Sequence, residues 1–266
     1  MNPTFPASDV LPLVVAGASG RMGRQLLDVV ATHADLELVG AWVREDSVSF
    51  GLPVPGSRRR FAATGDVAAP PRVVVDFSHA SAFDAVLEWC VGHRVALVSG
   101  TTGLDDQQHA RLSSAAVEIP LLWAANFSLG VAVLSRLVAD AARSLPGWDA
   151  EILEAHHAGK RDAPSGTALA LGRVLAAARG RTLDELAVHD RHDRDRARQA
   201  GEIGFASLRA GDIVGEHTVL LAVAGERLEL GHRATDRAIF ARGAVHAARW
   251  LAAQAPGLYA IDDTLD

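Results

Sequence analysis

The chain has 266 residues, a formal net charge of −6 at pH 7 and only 5% aromatic residues. This length allows one large domain or two smaller ones with real cores, and an acidic, aromatic-poor chain offers neither a basic surface nor a stacking platform for nucleic acid. No apolar run approaches the ~18 residues of a membrane span, residues 1–11 lack a signal-peptide pattern, and the single cysteine, Cys90, cannot form an internal disulfide. We therefore expect a cytoplasmic protein that binds neither membranes nor nucleic acid.

The first motif is a glycine-rich turn between a strand and a helix. An apolar run at residues 11–16 is followed by Gly17, Gly20 and Gly23 and then at once by an amphipathic helix. Glycines at this spacing permit a tight turn, close approach of the backbone to a pyrophosphate and close packing of helix on strand. A glycine triplet alone can be a purely structural turn, but its position between strand and helix favours a dinucleotide site.

The end of the second predicted strand, residues 36–43, decides how an adenosine ribose would be held. Dinucleotide folds usually place an acidic residue there, but Arg44 comes first in this chain and Glu45 and Asp46 follow it. A one-residue change in register therefore decides which side chain faces the ribose. Because arginine pairs with a 2′-phosphate in a bidentate geometry, we expect NADPH to be used at least as well as NADH.

Strands and helices then alternate up to residue 128. Buried strands are predicted at residues 71–77, 95–99 and 121–125, with helices at 80–91 and 105–118 between them. This alternation predicts an α/β fold with a Rossmann-type doubly wound parallel sheet, whose ligands lie outside the carboxyl ends of the strands. Two strand ends carry small or hydrogen-bonding residues that would suit a cofactor: Gly100, Thr101 and Thr102, and Ala124, Ala125, Asn126 and Phe127.

After residue 128 the pattern predicts a smaller α+β domain with a mixed or antiparallel sheet. Strands at residues 203–208, 214–223 and 227–232 are expected to form an antiparallel meander, and the polar residues 187–200 an exposed loop. Residues 219–223 are apolar on both faces, whereas an antiparallel sheet with one wet face should alternate. We expect a partner subunit, in preference to a helix of the same chain, to cover the second face.

The expected domain boundaries follow from this change of pattern. Residues 1–128 form the dinucleotide-binding domain, and residues 129–236 form the substrate-binding and oligomerisation domain. A last helix is predicted at residues 236–254, and the C-terminal segment 237–266 is expected to return to the dinucleotide-binding domain.

The most informative stretch is residues 151–168, which predicts a strand, a loop and the start of a helix. Three proton-handling side chains end the strand: His156, His157 and Lys160. The helix opens with three backbone N–H groups expected to be free: those of Ser165, Gly166 and Thr167. Free N–H groups at the positive end of a helix dipole favour binding of a carboxylate or phosphate. With an imidazole and an ammonium beside them, they predict an acid/base site for an anionic substrate.

A zinc site is the alternative for the same stretch. It would use Glu151, Glu154, His156 and His157. Neighbouring residues on a strand point to opposite faces, and neither a His-Glu-x-x-His helix nor a cysteine pair supports such a site. We therefore expect no metal.

With these motifs placed, the chain resembles the dihydrodipicolinate reductase family over nearly its whole length. The resemblance rests on five segments: V-A-G-A-S-G-R-M-G at residues 15–23, G-T-T-G at 100–103, A-A-N-F-S at 124–128, E-x-x-E-x-H-H-x-x-K-x-D-x-P-S-G-T-A at 151–168 and R-A-G-D-I-V-G-E-H at 209–217. The long segment at 151–168 is the most specific of them. Ala158 and Gly159 depart from the bulkier polar residues that relatives often carry at that place, and Arg44 departs from the usual ribose acid.

The resemblance implies hydride transfer from NADH or NADPH to a cyclic imine dicarboxylate, with loss of the 4-hydroxyl as water, in lysine and diaminopimelate synthesis. It implies an acid/base role for His156, proton donation by Lys160, and substrate-carboxylate contacts from His157, Gly166 and Thr167. The implied cofactor contacts are Gly17, Ala18, Ser19, Gly20, Arg21 and Met22, with the residues at 100–102 and 124–127. It also implies a homotetramer built through the sheet of the second domain.

Two other functions remain open on the sequence. A different Rossmann oxidoreductase, such as an amino-acid or semialdehyde dehydrogenase, would lack the unit that joins His156 and Lys160 to the helix start at Ser165. A catalytically silent dinucleotide-binding or assembly protein would keep the glycine loop and show no turnover.

Overall fold

The computed structural model describes residues 10–192 and 195–265. The chain divides into two compact units, Met1–Leu129 with Ala238–Asp266, and Gly130–Arg237. None of the helices in the described ranges is long and apolar enough to cross a membrane.

The first unit is built on a seven-stranded sheet in the order β12-β6-β5-β4-β1-β2-β3, and every neighbouring pair in it is parallel. Its strands, numbered in chain order, are β1 (Leu11–Ala16), β2 (Leu36–Trp42), β3 (Phe61–Ala62), β4 (Val73–Asp76), β5 (Ala96–Ser99), β6 (Pro120–Trp123) and β12 (Gly257–Tyr259). Its helices are α1 (Arg21–Ala31), α2 (Ala80–His93), α3 (Asp106–Ala115) and α7 (Ala238–Leu251), with a 3₁₀ helix at Ile261–Leu265. The predicted Rossmann-type parallel sheet is confirmed. The short strand β12 was not predicted, because three residues are too few to show a period.

Helices cover both faces of this sheet, and the central strands β4 and β5 are buried at every residue. Residues of α1 and α7 pack with Val15 and Val98 in one apolar cluster, and residues of α2 and α3 pack with Val14 and Leu97 in a second. Strands buried on both faces are what a parallel sheet requires. The arrangement leaves the loops at the carboxyl ends of β1, β4, β5 and β6 at one edge of the sheet.

The second unit contains a five-stranded mixed sheet in the order β11-β10-β7-β9-β8. Its strands are β7 (Asp149–His156), β8 (Ala187–Val188), β9 (Ile203–Arg209), β10 (Gly215–Val223) and β11 (Glu226–Ala234). Its helices are α4 (Leu129–Ser144), α5 (Gly166–Ala178) and α6 (Leu183–Leu186). One face of the sheet packs on α4 and α5 around the fully buried Ile152, Leu171 and Val219.

The predicted antiparallel meander is wrong in one respect. Strand β9 runs parallel to β7, and β10 is antiparallel to β7 on its other side, so β9 and β10 are not neighbours. The chain crosses between them at residues 210–214, where Ala210 donates to the carbonyl of His156 and Ala158 donates to that of Gly211. Adjacency in sequence only favours pairing, and here β7 lies between β9 and β10.

The predicted exposed loop at residues 187–200 is also partly wrong. Its first two residues form β8, which pairs with β9. Arg198 is largely buried and forms ion pairs with Asp149 and Glu151. Residues 193 and 194 of this predicted loop lie outside the described residues.

The second face of the sheet in this unit carries exposed apolar side chains. Leu153 is 45% exposed and Leu208 is 54% exposed, and Leu220 and Ala222 of β10 lie half-buried on the side opposite the core. We call this surface, formed by Leu153, Leu208, Leu220 and Ala222, the open sheet face. The apolar character of residues 219–223 on both sides is therefore real. Its cover by a partner subunit stays a prediction.

Candidate active site

The glycine loop in the first unit is a backbone cradle in which side chains do not fit. Gly17 has φ +71°, and a Cβ on it would lie 2.4 Å from the carbonyl oxygen of Phe77; a Cβ on Gly23 would lie 2.2 Å from the carbonyl oxygen of Gly17. Gly20 is the N-cap of α1, which has neither a side-chain cap nor an acidic residue in its first turn. A helix N-terminus left open in this way fits the pyrophosphate of a dinucleotide.

The other predicted residues of this loop differ in exposure. Arg21 is exposed and Ser19 and Met22 are half-buried, whereas Ala18 is fully buried. The Ala18 N–H donates to the carbonyl of Trp42 at 3.0 Å. Ala18 therefore ties the loop to β2 with its N–H, and only its carbonyl remains for a ligand.

The loop that contains Gly100 and Thr102 is held by a buried acidic residue, Asp76, that the sequence analysis did not identify. Asp76, at the end of β4, accepts hydrogen bonds from Ser99 Oγ at 2.9 Å, Thr101 Oγ1 at 2.8 Å and the Ser78 N–H at 2.9 Å. The Thr101 hydroxyl therefore turns inward, because a buried carboxylate needs donors. The role of Thr101 as a cofactor contact stays a prediction. Thr102 is exposed. The acidic residue within the apolar run V-V-V-D-F at residues 73–77 is the sequence feature that could have predicted this buried carboxylate.

Glycine is also required at position 100, beside the Phe77 ring, and Phe127 after β6 packs against the same ring. A Cβ on Gly100 would lie 2.3 Å from the Phe77 ring, which packs on the buried Phe127 with ring centroids 5.3 Å apart. Asn126 Oδ1 accepts from the Ser128 N–H at 2.8 Å. Ala125 is exposed and Ala124 is buried. With the Phe127 side chain buried, a cofactor would meet its backbone.

Arg44 lies just after β2, where its side chain forms a surface ion pair. Its Nε is 3.3 Å from Asp46 Oδ1, and the Arg44 and Asp46 side chains are 66% and 71% exposed. An ion pair this exposed contributes little stability, so Arg44 can turn to another anion at small cost.

In the second unit, β7 brings Glu154 and His156 to the same buried face because they are two residues apart on a strand. Glu154 Oε2 lies 2.6 Å from His156 Nδ1. Arg209, at the end of β9, donates to both carboxylate oxygens at 2.8 and 2.6 Å, and the Ser165 N–H donates to Oε1 at 3.1 Å. One carboxylate thus joins two strands and the start of α5.

The electrostatics of this cluster leave an ionised acid beside a neutral imidazole. Burial by itself would raise the pKa of Glu154, but hydrogen bonds from Arg209, His156 and Ser207 lower it to about 2. Burial lowers the pKa of His156 below its ordinary value, against the opposing effect of Glu154, and the positive charges of Lys160 and Arg209 lower it further. His156 is therefore mostly neutral at pH 7.

Lys160 follows in the loop after β7 and is held by Asp162. Its Nζ donates to the Asp162 carboxylate at 2.8 Å, and this hydrogen bond is the main cause that lowers the pKa of Asp162. Arg209 donates to the Asp162 carbonyl at 2.6 Å. The structure therefore joins Lys160 to the Glu154–His156 cluster through Asp162 and Arg209. His157 is half-buried beside the Lys160 turn.

The start of α5 corrects one prediction. Ser165 is the N-cap and its Oγ accepts from the Ala168 N–H at 3.2 Å, but its own N–H donates to Glu154 and is not free for an anion. Gly166 is exposed and Thr167 is half-buried in the first turn. Their contact with a substrate carboxylate stays a prediction.

His217, in the middle of the sheet, also belongs to this cluster. Its Nε2 lies 3.0 Å from Ser165 Oγ, its ring centroid lies 5.2 Å from that of His156, and burial lowers its pKa to about 4. The R-A-G-D-I-V-G-E-H segment contains both Arg209 and His217, but its pattern alone does not show that their side chains meet Glu154 and His156 of β7.

The four residues of the zinc alternative do not converge. Glu151 lies on the other side of β7 from Glu154 and forms ion pairs with Arg191 and Arg198. Glu154 is already engaged by Arg209.

Comparisons with known proteins agree across the chain. Family models described as dihydrodipicolinate reductase, N-terminus and C-terminus, match residues 11–127 and 130–265. A 4-hydroxy-tetrahydrodipicolinate reductase from Xanthomonas campestris pv. campestris (strain B100) is 50% identical over 94% of this chain and 96% of its own length. One from Stenotrophomonas maltophilia (strain R551-3) is 48% identical over 96% of this chain and 98% of its own.

A solved structure supports the same fold. A dihydrodipicolinate reductase from Paenisporosarcina sp. TG-14, with dipicolinate bound, matches with a TM-score of 0.77 at 22% identity, over 94% of this chain and 97% of that chain. Two family models together span residues 11–127 and 130–265, and the two relatives are about half identical over 94% and 96% of the chain. The chain belongs to the dihydrodipicolinate reductase family.

Proposed function

We propose that this chain reduces 4-hydroxy-tetrahydrodipicolinate to tetrahydrodipicolinate with NADPH or NADH, in lysine and diaminopimelate synthesis. The observation that carries the proposal is the Glu154 carboxylate, which bonds both His156 and the Ser165 N–H. A group able to exchange protons and the first turn of an anion-binding helix are thereby held by one buried side chain. Relatives about half identical carry the name of this activity.

The substrate has two carboxylates, and the second unit offers cationic and N–H groups for them. The exposed first turn at Gly166 and the helix dipole favour one carboxylate. His157 and the ammonium of Lys160 are the nearby donors for the other. The related structure with dipicolinate bound supports a dicarboxylate ligand. An acidic protein can thus hold a dianion through local charge.

Each turnover loses one water and gains one hydride and one proton. Nicotinamide, when bound, supplies the hydride. A neutral His156 can take the proton from the carbon next to the one that bears the 4-hydroxyl and pass it to that hydroxyl, which leaves as water. The ammonium of Lys160 can then donate a proton to the electron pair that hydride addition creates. General acid/base groups of this kind contribute about 10²- to 10⁴-fold to a rate. Asp162 holds the Lys160 ammonium before substrate arrives.

We further propose that NADPH is used at least as well as NADH. Arg44 stands where an acid would otherwise accept the ribose hydroxyls and repel a 2′-phosphate, and its side chain contacts the exposed Asp46. Arg21, exposed in the glycine loop, adds a second positive charge. Both arginines favour a cofactor with the additional phosphate.

A homotetramer in the cytoplasm completes the proposal. The open sheet face presents exposed apolar side chains, including Leu153 and Leu208, and such surfaces mark contact sites. The buried, unpaired Cys90 suits a reducing compartment.

The test is an absorbance assay at the nicotinamide band, with fresh aldol product of pyruvate and aspartate semialdehyde as substrate. We expect NADPH oxidation that requires this product. Oxidation with aspartate semialdehyde alone would favour a different Rossmann oxidoreductase. NADPH binding without any oxidation would favour a silent dinucleotide-binding protein.

A further inference from the structure

Glu154 is held by several donors in the second unit, and the proposed reaction assigns it no step. Its side chain is fully buried, and it accepts from His156, from Ser165 and twice from Arg209. We propose that Glu154 is a positioning residue: it holds His156 in the tautomer with a free Nε2 and fixes that ring relative to the first turn of α5. This inference rests on the proposed function.

The tautomer follows from the chemistry of the partners. An ionised carboxylate only accepts hydrogen bonds, and the bidentate Arg209 keeps Glu154 ionised. The contact of 2.6 Å between Glu154 Oε2 and His156 Nδ1 must therefore use a proton on Nδ1. A neutral imidazole has one N–H, so Nε2 carries the lone pair that accepts a proton from substrate.

The space around Nε2 is kept open by glycine. A Cβ at Gly215, the first residue of β10, would lie 3.1 Å from His156 Nε2. That distance is shorter than an ordinary van der Waals contact, so a side chain there would press on the ring. Glu154 therefore contacts the Nδ1 side of the His156 ring, and Gly215 leaves space on its Nε2 side.

The second oxygen of Glu154 connects the imidazole to the anion site. Oε1 accepts the N–H of Ser165, eleven residues further along the chain, and Ser165 caps α5. Because one rigid carboxylate meets both groups, it sets the position of the ring relative to the first turn of the helix. Misplacement of reacting groups by about 1 Å can cost on the order of 10²-fold in rate.

The charges that face His156 come from four elements. Glu154 is on β7, Lys160 is in the loop after it, Arg209 ends β9, and His217 of β10 packs on the ring edge. Of these, only Glu154 is an anion. Removal of its charge leaves the imidazole with cationic or neutral neighbours, and its protonation should then require a lower pH.

The first test needs only folded wild-type protein. Histidine-labelled protein is examined by two-bond ¹⁵N–¹H NMR correlation, and the signal of His156 among the 11 histidines is assigned by its loss in His156→Gln. We expect the Nδ1–H tautomer. The Nε2–H tautomer at His156 would overturn the proposal even if the chain is an active reductase, and because no turnover is needed, failure of the proposed reaction is a separate result.

The second test compares two carboxylates of similar acidity. Glu154→Gln should lower kcat by about 10- to 100-fold, the scale of outer-shell hydrogen-bond partners. It should also move the His156 limb of the kcat/KM pH profile to lower pH and change the His156 tautomer. Glu202→Gln is the matched control, because the pKa of Glu202 is also about 2 but two arginines, Arg191 and Arg196, hold it.

The control and the conservative variant separate positioning from stability. Glu202→Gln should leave the limb and the tautomer unchanged, whatever it does to unfolding. Glu154→Asp keeps the charge and should keep the limb near its wild-type pH, but it cannot reach both partners and should restore kcat only in part. If Glu154→Gln folds and keeps both the wild-type limb and tautomer, Glu154 is merely structural.

Discussion

Replacement of Gly17 by alanine tests whether the glycine loop depends on close backbone approach. Gly17 has φ +71°, a conformation that costs an L-residue about 1–2 kcal/mol. The new Cβ would also lie 2.4 Å from Phe77 O and 2.7 Å from Ser78 Cα, both backbone atoms that no rotamer change can move. Relief of that overlap requires a shift of the loop or of the chain after β4. Shifts forced by extra atoms in a well-packed core cost ~1–3 kcal/mol of stability, and we expect a similar further cost here.

The matched control is Gly51→Ala in the same unit. Gly51 has φ +75°, and a Cβ there meets nothing within 4 Å. The two variants share the conformational cost and the entropy change of the unfolded chain, so their difference isolates the close approach. We expect the Gly17 variant to be less stable than the Gly51 variant by ~1–3 kcal/mol.

Urea unfolding and a fluorescence titration with NADPH measure the two consequences. The Kd for NADPH should rise at least about tenfold in the Gly17 variant, equal to roughly 1.4 kcal/mol, and stay within about twofold of wild type in the Gly51 variant. Equal unfolding free energies and equal Kd values for the two variants would refute the reasoning, because Gly17 would then be only a permissive turn residue.

Alanine at His156 or Lys160 should lower kcat about 10²- to 10⁴-fold and leave the NADPH Kd nearly unchanged, since both groups act at the substrate; near-normal kcat at saturating substrate would contradict both assignments. Arg44→Glu should shift the kcat/KM ratio toward NADH by at least about tenfold, and an unchanged ratio would mean that Arg44 only faces solvent. Light scattering should give a mass well above the 28.0 kDa of one chain, reduced by Leu208→Glu on the open sheet face; a stable 28.0 kDa wild-type particle rules out the tetramer. Because the pKa of Glu154 is about 2, below its ordinary 4.5, the stability from its ionised form should be complete above pH 4.5 and lost as the pH falls toward 2. Acid unfolding of Glu154→Gln that keeps the full wild-type pH dependence in that window would contradict this origin.

The sequence by itself determined the features that depend on local pattern. A glycine triplet between strand and helix predicted the cradle at Gly17, and alternating strands and helices predicted the parallel sheet, because periodicity and turn chemistry act within a few residues. The segment from Glu151 to Ala168 likewise brought His156, Lys160 and the start of α5 into one short stretch of chain.

Only the tertiary structure decided which distant groups meet. Glu154 and Arg209 are 55 residues apart and become neighbours because β9 pairs with β7, an order that the meander prediction missed. The same pairing buries the Glu154 carboxylate, which needs donors and therefore accepts the Ser165 N–H that the sequence predicted to be free for a ligand. The buried Asp76 carboxylate likewise accepts a hydrogen bond from the Thr101 hydroxyl. A local pattern cannot show this, because the demand of a buried charge for partners arises only when folding removes water from around it.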